Sequence, residues 1–202
     1  MKRQTISLLF LLALSAAAGL SSCSTTPAAN LDAKSSTVLN AMCDKLTAAK
    51  TLRVSVTRKS SPGFNAGMLV AESASGEVIV RRPNKLAAKL KTSEGARAIG
   101  FDGVNLIVVD HAAGTHSVVK AAGDIDHAVR GIQKTYGLTP PVTELLANNP
   151  KALLLEGVKT GRSTGTERIN GMECDRLAFE QDGLSWQLWV ATGDKLPRRI
   201  SI

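Results

Sequence analysis

The sequence predicts an α+β fold dominated by a long antiparallel sheet of about nine or ten strands, accompanied by three helices, and three observations carry that prediction. Apolar and polar residues alternate with period two in a succession of short segments. Turn-forming pairs separate those segments at intervals of about 8 to 10 residues, the cadence of an antiparallel meander. In three places the apolar spacing changes to three and four, the period of a helix. Composition sets the outer bounds. A chain of 202 residues with 44% hydrophobic and 21% charged residues suits one domain plus a leader, and excludes wholesale disorder, collagen-like repeats and a multi-span membrane protein. Phe64, Phe101, Phe179, Tyr136, Trp186 and Trp189 are the aromatics beyond Phe10, so any core or cavity must be walled mainly by aliphatic side chains.

The first element is a leader. Lys2 and Arg3 precede an apolar run from Ile6 to Leu20, too short for the roughly 20 residues that cross a bilayer. Leu20-Ser21-Ser22-Cys23 is similar to the lipobox of bacterial lipoproteins, which implies a signal peptide over residues 1–22 and a thioether-linked, acylated Cys23 at the mature N-terminus. Several acyl chains, at ~0.8 kcal/mol per buried methylene, hold a protein on a membrane almost permanently. Ser24 after the Cys, in place of Asp, implies sorting to the outer membrane on its periplasmic side. Residues 23–31 then form a polar tether and 32–202 the folded domain.

The formal charge of +8 falls by two on loss of Lys2 and Arg3 and stays basic. No Lys/Arg-dense helix, zinc pattern or aromatic-basic RNA motif is present, so nucleic acid is not expected as a partner. An anionic membrane surface is the expected counterpart, beside the plainer reading of a solvated basic surface.

Along the domain, Val38, Leu39, Met42, Cys43, Leu46 and Ala49 stripe one face of a helix from about Asp32 to Lys50, capped by Ser35 or Ser36. Leu52, Val54 and Val56 alternate with polar residues in the first long strand. Met68 to Ser73, Glu77 to Arg82, Lys85 to Thr92 and Ala96 to Phe101 read as further strands, broken at Ser75-Gly76, Pro83-Asn84, Glu94-Gly95 and Asp102-Gly103. Val104 to Asp110 and His116 to Lys120 form a hairpin. Ile125, Ala128, Val129, Ile132 and Tyr136 then mark a helix capped by Asp124 and stopped at Gly137. A second short helix follows Pro140-Pro141 with Val142, Leu145 and Leu146 on its apolar side, ending at Asn148-Asn149-Pro150. Strands resume at Val158 to Arg168, turn at Asn170-Gly171, and continue through Met172 to Glu180, Leu184 to Val190 and Leu196 to Ile202. A sheet of this length curls. With amphipathic helices across its mouth it encloses either an apolar hollow, a common form of ligand site, or a filled core of the same residues.

Cys43 and Cys174 would meet an oxidising compartment after export, where one bridge between them is possible; two small buried hydrophobes is the alternative. Chemistry is sparse. His111 and His116 with Asp110 flank a hairpin turn and are a weak metal candidate, so no metal is expected. Gly161-Arg162-Ser163-Thr164-Gly165 lacks the Lys-Ser/Thr of a phosphate loop, and no nucleophile elbow occurs. Glu173 and Asp175 share a face of one strand, where surface charge explains them better than glycosidase chemistry. Neither an enzyme nor a cofactor is expected.

Arg82-Pro83-Asn84-Lys85-Leu86, Phe101-Asp102-Gly103, the run from Gly171 to Phe179, and Trp186-Gln187-Leu188-Trp189 followed by Leu196-Pro197-Arg198-Arg199 resemble a family of predicted periplasmic proteins of unknown function. That family is similar in architecture to the outer-membrane lipoprotein carriers LolA and LolB. The resemblance covers about Asp32 to Ile202. It implies a strongly curled, incomplete β-barrel with the helices as a lid over an aliphatic cavity that receives acyl chains. Ser185 departs from the acidic residue expected there, and the family continues beyond the position of Ile202, so the last strand is expected to be an unpaired edge and the chain a truncated member.

On this reading the cavity walls are Val54, Val56, Leu69, Val78, Val80 and Leu86, then Leu90, Ile99, Leu106 and Val108, then Leu177, Phe179, Trp186 and Leu188, with Val129, Ile132 and Leu145 from the lid. The expected protein is a monomeric, membrane-anchored envelope lipoprotein that carries or accepts a lipid or lipoprotein. The alternative is a non-catalytic structural or interaction module with a solidly packed sheet.

Overall fold

The computed structural model describes residues 29–59, 73–128, 130 and 141–202. The leader, Cys23 and the Met68–Ser73 strand expectation, Ser73 apart, lie outside them. Strand β1 (Asn30–Leu31) leads into helix α1 (Ala33–Ala48), and β2 (Thr51–Lys59) follows. Then come β3 (Ser73–Arg81), β4 (Lys85–Thr92), β5 (Gly95–Phe101), β6 (Asn105–Asp110) and β7 (Thr115–Lys120). Residues 125–128 are helical. Helix α2 (Pro141–Leu146) and helix α3 (Pro150–Leu154) precede β8 (Val158–Ile169), β9 (Met172–Gln181), β10 (Leu184–Ala191) and β11 (Pro197–Ser201).

The fold is mixed α+β, and its strands sort into two sheets rather than one. One has six strands in the order β2-β3-β4-β5-β6-β7, the other five in the order β1-β8-β9-β10-β11. Among the described residues neither sheet closes into a barrel. The helices separate them: Leu145 belongs to an apolar cluster with α1 and the five-stranded sheet, while its neighbour Leu146 belongs to a cluster on the six-stranded one. Leu52 packs on both. The short β1 pairs with β8 in parallel, Leu31 beside Gly161.

Helix α1 buries Val38, Leu39, Met42, Cys43 and Leu46, the stripe that the spacing predicts. Its cap is Asp32 rather than Ser35 or Ser36. Asp32 Oδ1 accepts from Ser35 N at 2.6 Å and Oδ2 from Ser163 N at 2.8 Å, so one carboxylate caps the helix and ties it to β8. Ser35 is instead buried, its hydroxyl donating to Gly161 O at 3.2 Å. A side chain at 161 has no room there: its Cβ would stand 2.4 Å from Leu31 Cδ2 and 2.8 Å from Phe179 Cδ1.

Two further expectations change. Ser75-Gly76 is no turn but the middle of β3, with Gly76 opposite Val56 on one side and Leu90 on the other. A Cβ at 76 would fall 2.0 Å from Lys89 O, so this glycine serves close approach of strands rather than positive φ. Asn149-Pro150 does not end the lid but starts α3: Asn149 Oδ1 accepts from Ala152 N, and Pro150 takes the first helical position. Asn170 and Gly171 do make the β8–β9 hairpin, at φ 50° and 80°. Asp124 caps the 125–128 turn, accepting from His127 N at 2.9 Å. No helix among the described residues is long and apolar enough to cross a membrane.

Candidate functional site

The six-stranded sheet has one face that is apolar over two successive rows and the start of a third. Strand alternation and the register align Leu52, Val80, Leu86, Phe101 and Leu106 in the first row. Val54, Val78, Ala88, Ile99 and Val108 make the second. Val56, Gly76 and Leu90 begin the third, which ends on Arg97 and Asp110.

Cover over this face is graded. Ile125, Ala128 and Leu146 pack on the first rows, where Val80, Phe101, Leu106 and Val78 are buried. Val54, Val56, Leu90, Ile99 and Val108 are only half-buried. The polar boundary is an ion pair: Arg97 Nε donates to Asp110 Oδ2 at 3.2 Å, and the same guanidinium reaches Glu94. Asp110 is held below the usual carboxylate range chiefly by the N–H of Ala113, assisted by Arg97. Arg58 belongs to the next inward-facing row of β2, and burial lowers its pKa.

The closed end is latched by Arg82, between β3 and β4. Its guanidinium donates to Leu46 O and Ala49 O at the C-terminal end of α1, at 3.3 and 3.2 Å. It also reaches Leu146 O at 3.0 Å, Ala147 O and Asn148 Oδ1 beyond α2. A cation thereby meets the carbonyl ends of two helices, the favourable sense of their dipoles. Asp126 accepts from Asn148 N and Asn149 N, Asn148 Nδ2 donates to Pro83 O at 2.9 Å, and Ile125 N donates to the same carbonyl at 3.0 Å. Gly103, at φ +94°, abuts Asn84. The Arg82-Pro83-Asn84 and Asp102-Gly103 segments that carry the family resemblance therefore meet at the latch. Reading the sequence did not find this role, because the guanidinium's partners are backbone carbonyls 33 to 65 residues away.

The remaining wall candidates lie elsewhere. Leu177, Phe179, Trp186 and Leu188 pack with Leu145 against α1, and Leu177, Phe179 and Leu188 have no exposed surface. Phe179 and Trp186 stack with centroids 4.2 Å apart. Leu69, Val129 and Ile132 fall outside the described residues.

Trp189 faces the other side of that sheet, buried with Cys174, Ile169 and Ala191, its Nε1 donating to Glu167 Oε2 at 2.9 Å under the Arg199 guanidinium. Cys43 lies with α1, so the five-stranded sheet separates it from Cys174, and both thiols are free. The disulfide expectation gives way to the alternative of two buried thiols. His111 and His116 are exposed at the β6–β7 hairpin, and Asp175 is ion-paired with Lys34 at 2.9 Å. Among the described residues no group of three or more His, Cys, Asp or Glu is placed to hold a metal.

The family model described as a predicted periplasmic protein (DUF2092) matches residues 35–202. The chain belongs to that family. No curated protein matches it. Among solved structures it is similar to the lipoprotein LppX of Mycobacterium tuberculosis, at 16% identity over 81% of this chain and 84% of that one, with a TM-score of 0.47. LprF from Mycobacterium bovis is similar at 11% identity over 83% and 85%, TM-score 0.48. A LolA superfamily protein from Nitrosomonas europaea is similar at 14% identity over 80% and 69%, TM-score 0.33.

Proposed function

We propose that this DUF2092 member is a non-catalytic lipoprotein of the bacterial envelope, anchored through an acylated Cys23 to the periplasmic side of the outer membrane, which carries or accepts a lipid or lipoprotein by holding its acyl chain on the aliphatic face of the six-stranded sheet, curled as a half-barrel. The observation that carries the reading is the graded cover of that face. Its floor is sealed by Ile125, Ala128 and Leu146, while Val54, Val56, Leu90, Ile99 and Val108 keep apolar surface free. Neither of the first two rows holds a titratable group in any strand; on β7 they continue as Val119 and Ser117. An acyl chain laid across them gains roughly 0.8 kcal/mol per methylene buried, so ten methylenes supply about 8 kcal/mol, the scale of a micromolar complex. Arg97 with its partner Asp110 on the third row, and Arg58 on the fourth, place polar side chains where the polar end of such a ligand would sit.

The test is native mass spectrometry with lipid extraction on the protein purified from an envelope fraction. Stoichiometric acyl ligand is expected, lost in Ile99→Trp or Val108→Trp, which fill the half-covered rows while leaving the packed cluster under α1 alone. A clean apo mass together with no uptake of a fluorescent fatty acid overturns the proposal in favour of a solidly packed interaction module.

A further inference from the structure

The opposite face of the six-stranded sheet has a different chemistry. Alternation turns Arg53 and Lys59 of β2, Arg81 of β3, Lys85, Lys89 and Lys91 of β4, and Lys120 of β7 away from the aliphatic rows, and all are exposed. The strands offer one acid on this face, Glu77, and it is ion-paired with Arg53 at 3.0 Å. Between the cations runs an aliphatic row: the register sets Ile79, Ala87, Gly100, Ile107 and Val118 side by side. Val118 and Ile107, direct partners on adjacent strands, are 57% and 38% exposed. No described apolar cluster uses this face, since the cluster of this sheet lies wholly on the other one.

We infer that this face docks on an anionic lipid bilayer surface. The commitment rests on charge complementarity: six cations not paired by Glu77 flank an apolar row whose Ile107 and Val118 are exposed, and cations beside shallow apolar groups match a headgroup layer whose phosphates lie above acyl chains. Neighbouring strands at ~4.8 Å spacing present several of these lysines side by side, so more than one can reach headgroup phosphates at once. The inference shares the envelope location of the proposed function but not its ligand, which sits on the reverse face. The bilayer would meet one side of the sheet while the acyl chain occupies the other.

The experiment uses residues 24–202, which keep every described element, so that binding is not dictated by the acylated Cys. Cosedimentation is measured with vesicles of phosphatidylcholine containing about 30 mol% phosphatidylglycerol and with phosphatidylcholine alone. Binding to the anionic vesicles is expected, weakened about fivefold for each lysine removed, hence about a hundredfold in Lys85→Ala/Lys89→Ala/Lys91→Ala. It should also fall at ~0.5 M salt. Val118→Ser is expected to weaken it severalfold without changing the salt dependence. The triple variant should keep its acyl ligand, which separates failure of this inference from failure of the carrier reading. Equal binding to neutral vesicles, no binding to anionic ones, an unaffected triple variant, or a dimer that dissociates on Val118→Ser would each overturn the inference.

Discussion

Replacing Arg82 by Ala removes the donor that joins α1, the β3–β4 turn and the end of α2. The side chain makes contacts to four carbonyls and one amide oxygen, of which Leu146 O at 3.0 Å and Ala49 O at 3.2 Å have the best distances among those given. A hydrogen bond from a charged donor contributes about 1.5–3 kcal/mol, and part-buried carbonyls at helix ends recover some of the loss from water. Two full bonds and partial recovery at the rest give about 3–4 kcal/mol. For a domain of this size a loss of 1 kcal/mol lowers Tm by roughly 2–4 °C, so Arg82→Ala should melt about 10 °C below the parent. The assay is thermal and urea unfolding beside Arg53→Ala, whose exposed pair with Glu77 is worth at most about 1 kcal/mol. If Arg82→Ala falls within ~1 kcal/mol of Arg53→Ala, the latch argument is wrong.

Other consequences are equally direct. Gly161→Ala pushes a methyl into Leu31 and Phe179 and should cost about 1–3 kcal/mol by urea midpoint, whereas Gly193→Ala, which meets open space, should be within ~0.5 kcal/mol; a neutral Gly161→Ala would contradict the close packing of β1 on β8. The carboxyls of Asp32, Asp102, Asp110 and Asp194 are each held below their ordinary value, first by the backbone N–H of Ser35, Asn105, Ala113 and Leu196 respectively. A depressed folded-state pKa contributes stability that is full above the unfolded value near ~4 and is lost as pH falls through the folded one. Tm should therefore be flat from neutral pH to about 5 and drop below ~4, with a shallower acid limb in Asp32→Asn; an unchanged limb would remove Asp32 from the account. Burial pushes the Cys43 thiol up to about 12 and also raises that of Cys174. Both should resist a thiol reagent in the native domain and react on unfolding, and a reductant-sensitive mobility shift of the native protein would disprove the separated placement.

Local signals were legible wherever one residue's backbone preference settles the matter. Asn170-Gly171 sits at positive φ and turns β8 into β9, and the stripe from Val38 to Leu46 buries as its spacing requires. Signals with two physical meanings misled. Gly76 lacks a side chain for the sake of strand approach, yet Ser75-Gly76 reads like a turn. Asp32, Ser35 and Ser36 are all competent caps, and the choice fell to the one whose second oxygen also reaches β8. Asn149-Pro150 serves as readily to start a helix as to follow one.

For the site, alternation identified Val54, Val56, Leu90, Ile99 and Val108 as inward-facing, and it did the same for Leu177, Phe179, Trp186 and Leu188. It did not show that the second group lies under α1 while the first stays half-covered, because burial depends on what packs across a face.

By itself, then, the sequence determined the type of most of the described strands and helices, the hairpins at Glu94-Gly95 and Asn170-Gly171, the family, and which side chains share a side of each of those strands. These follow from φ/ψ preference and periodicity, which act over a few residues. Only the tertiary structure decided that the strands form two sheets, that the cysteines lie on opposite sides of one of them, and that Arg82 binds the ends of two helices. Each of those depends on groups that meet across tens of residues of chain, where the deciding quantities are register, room for a Cβ and the direction of a carbonyl.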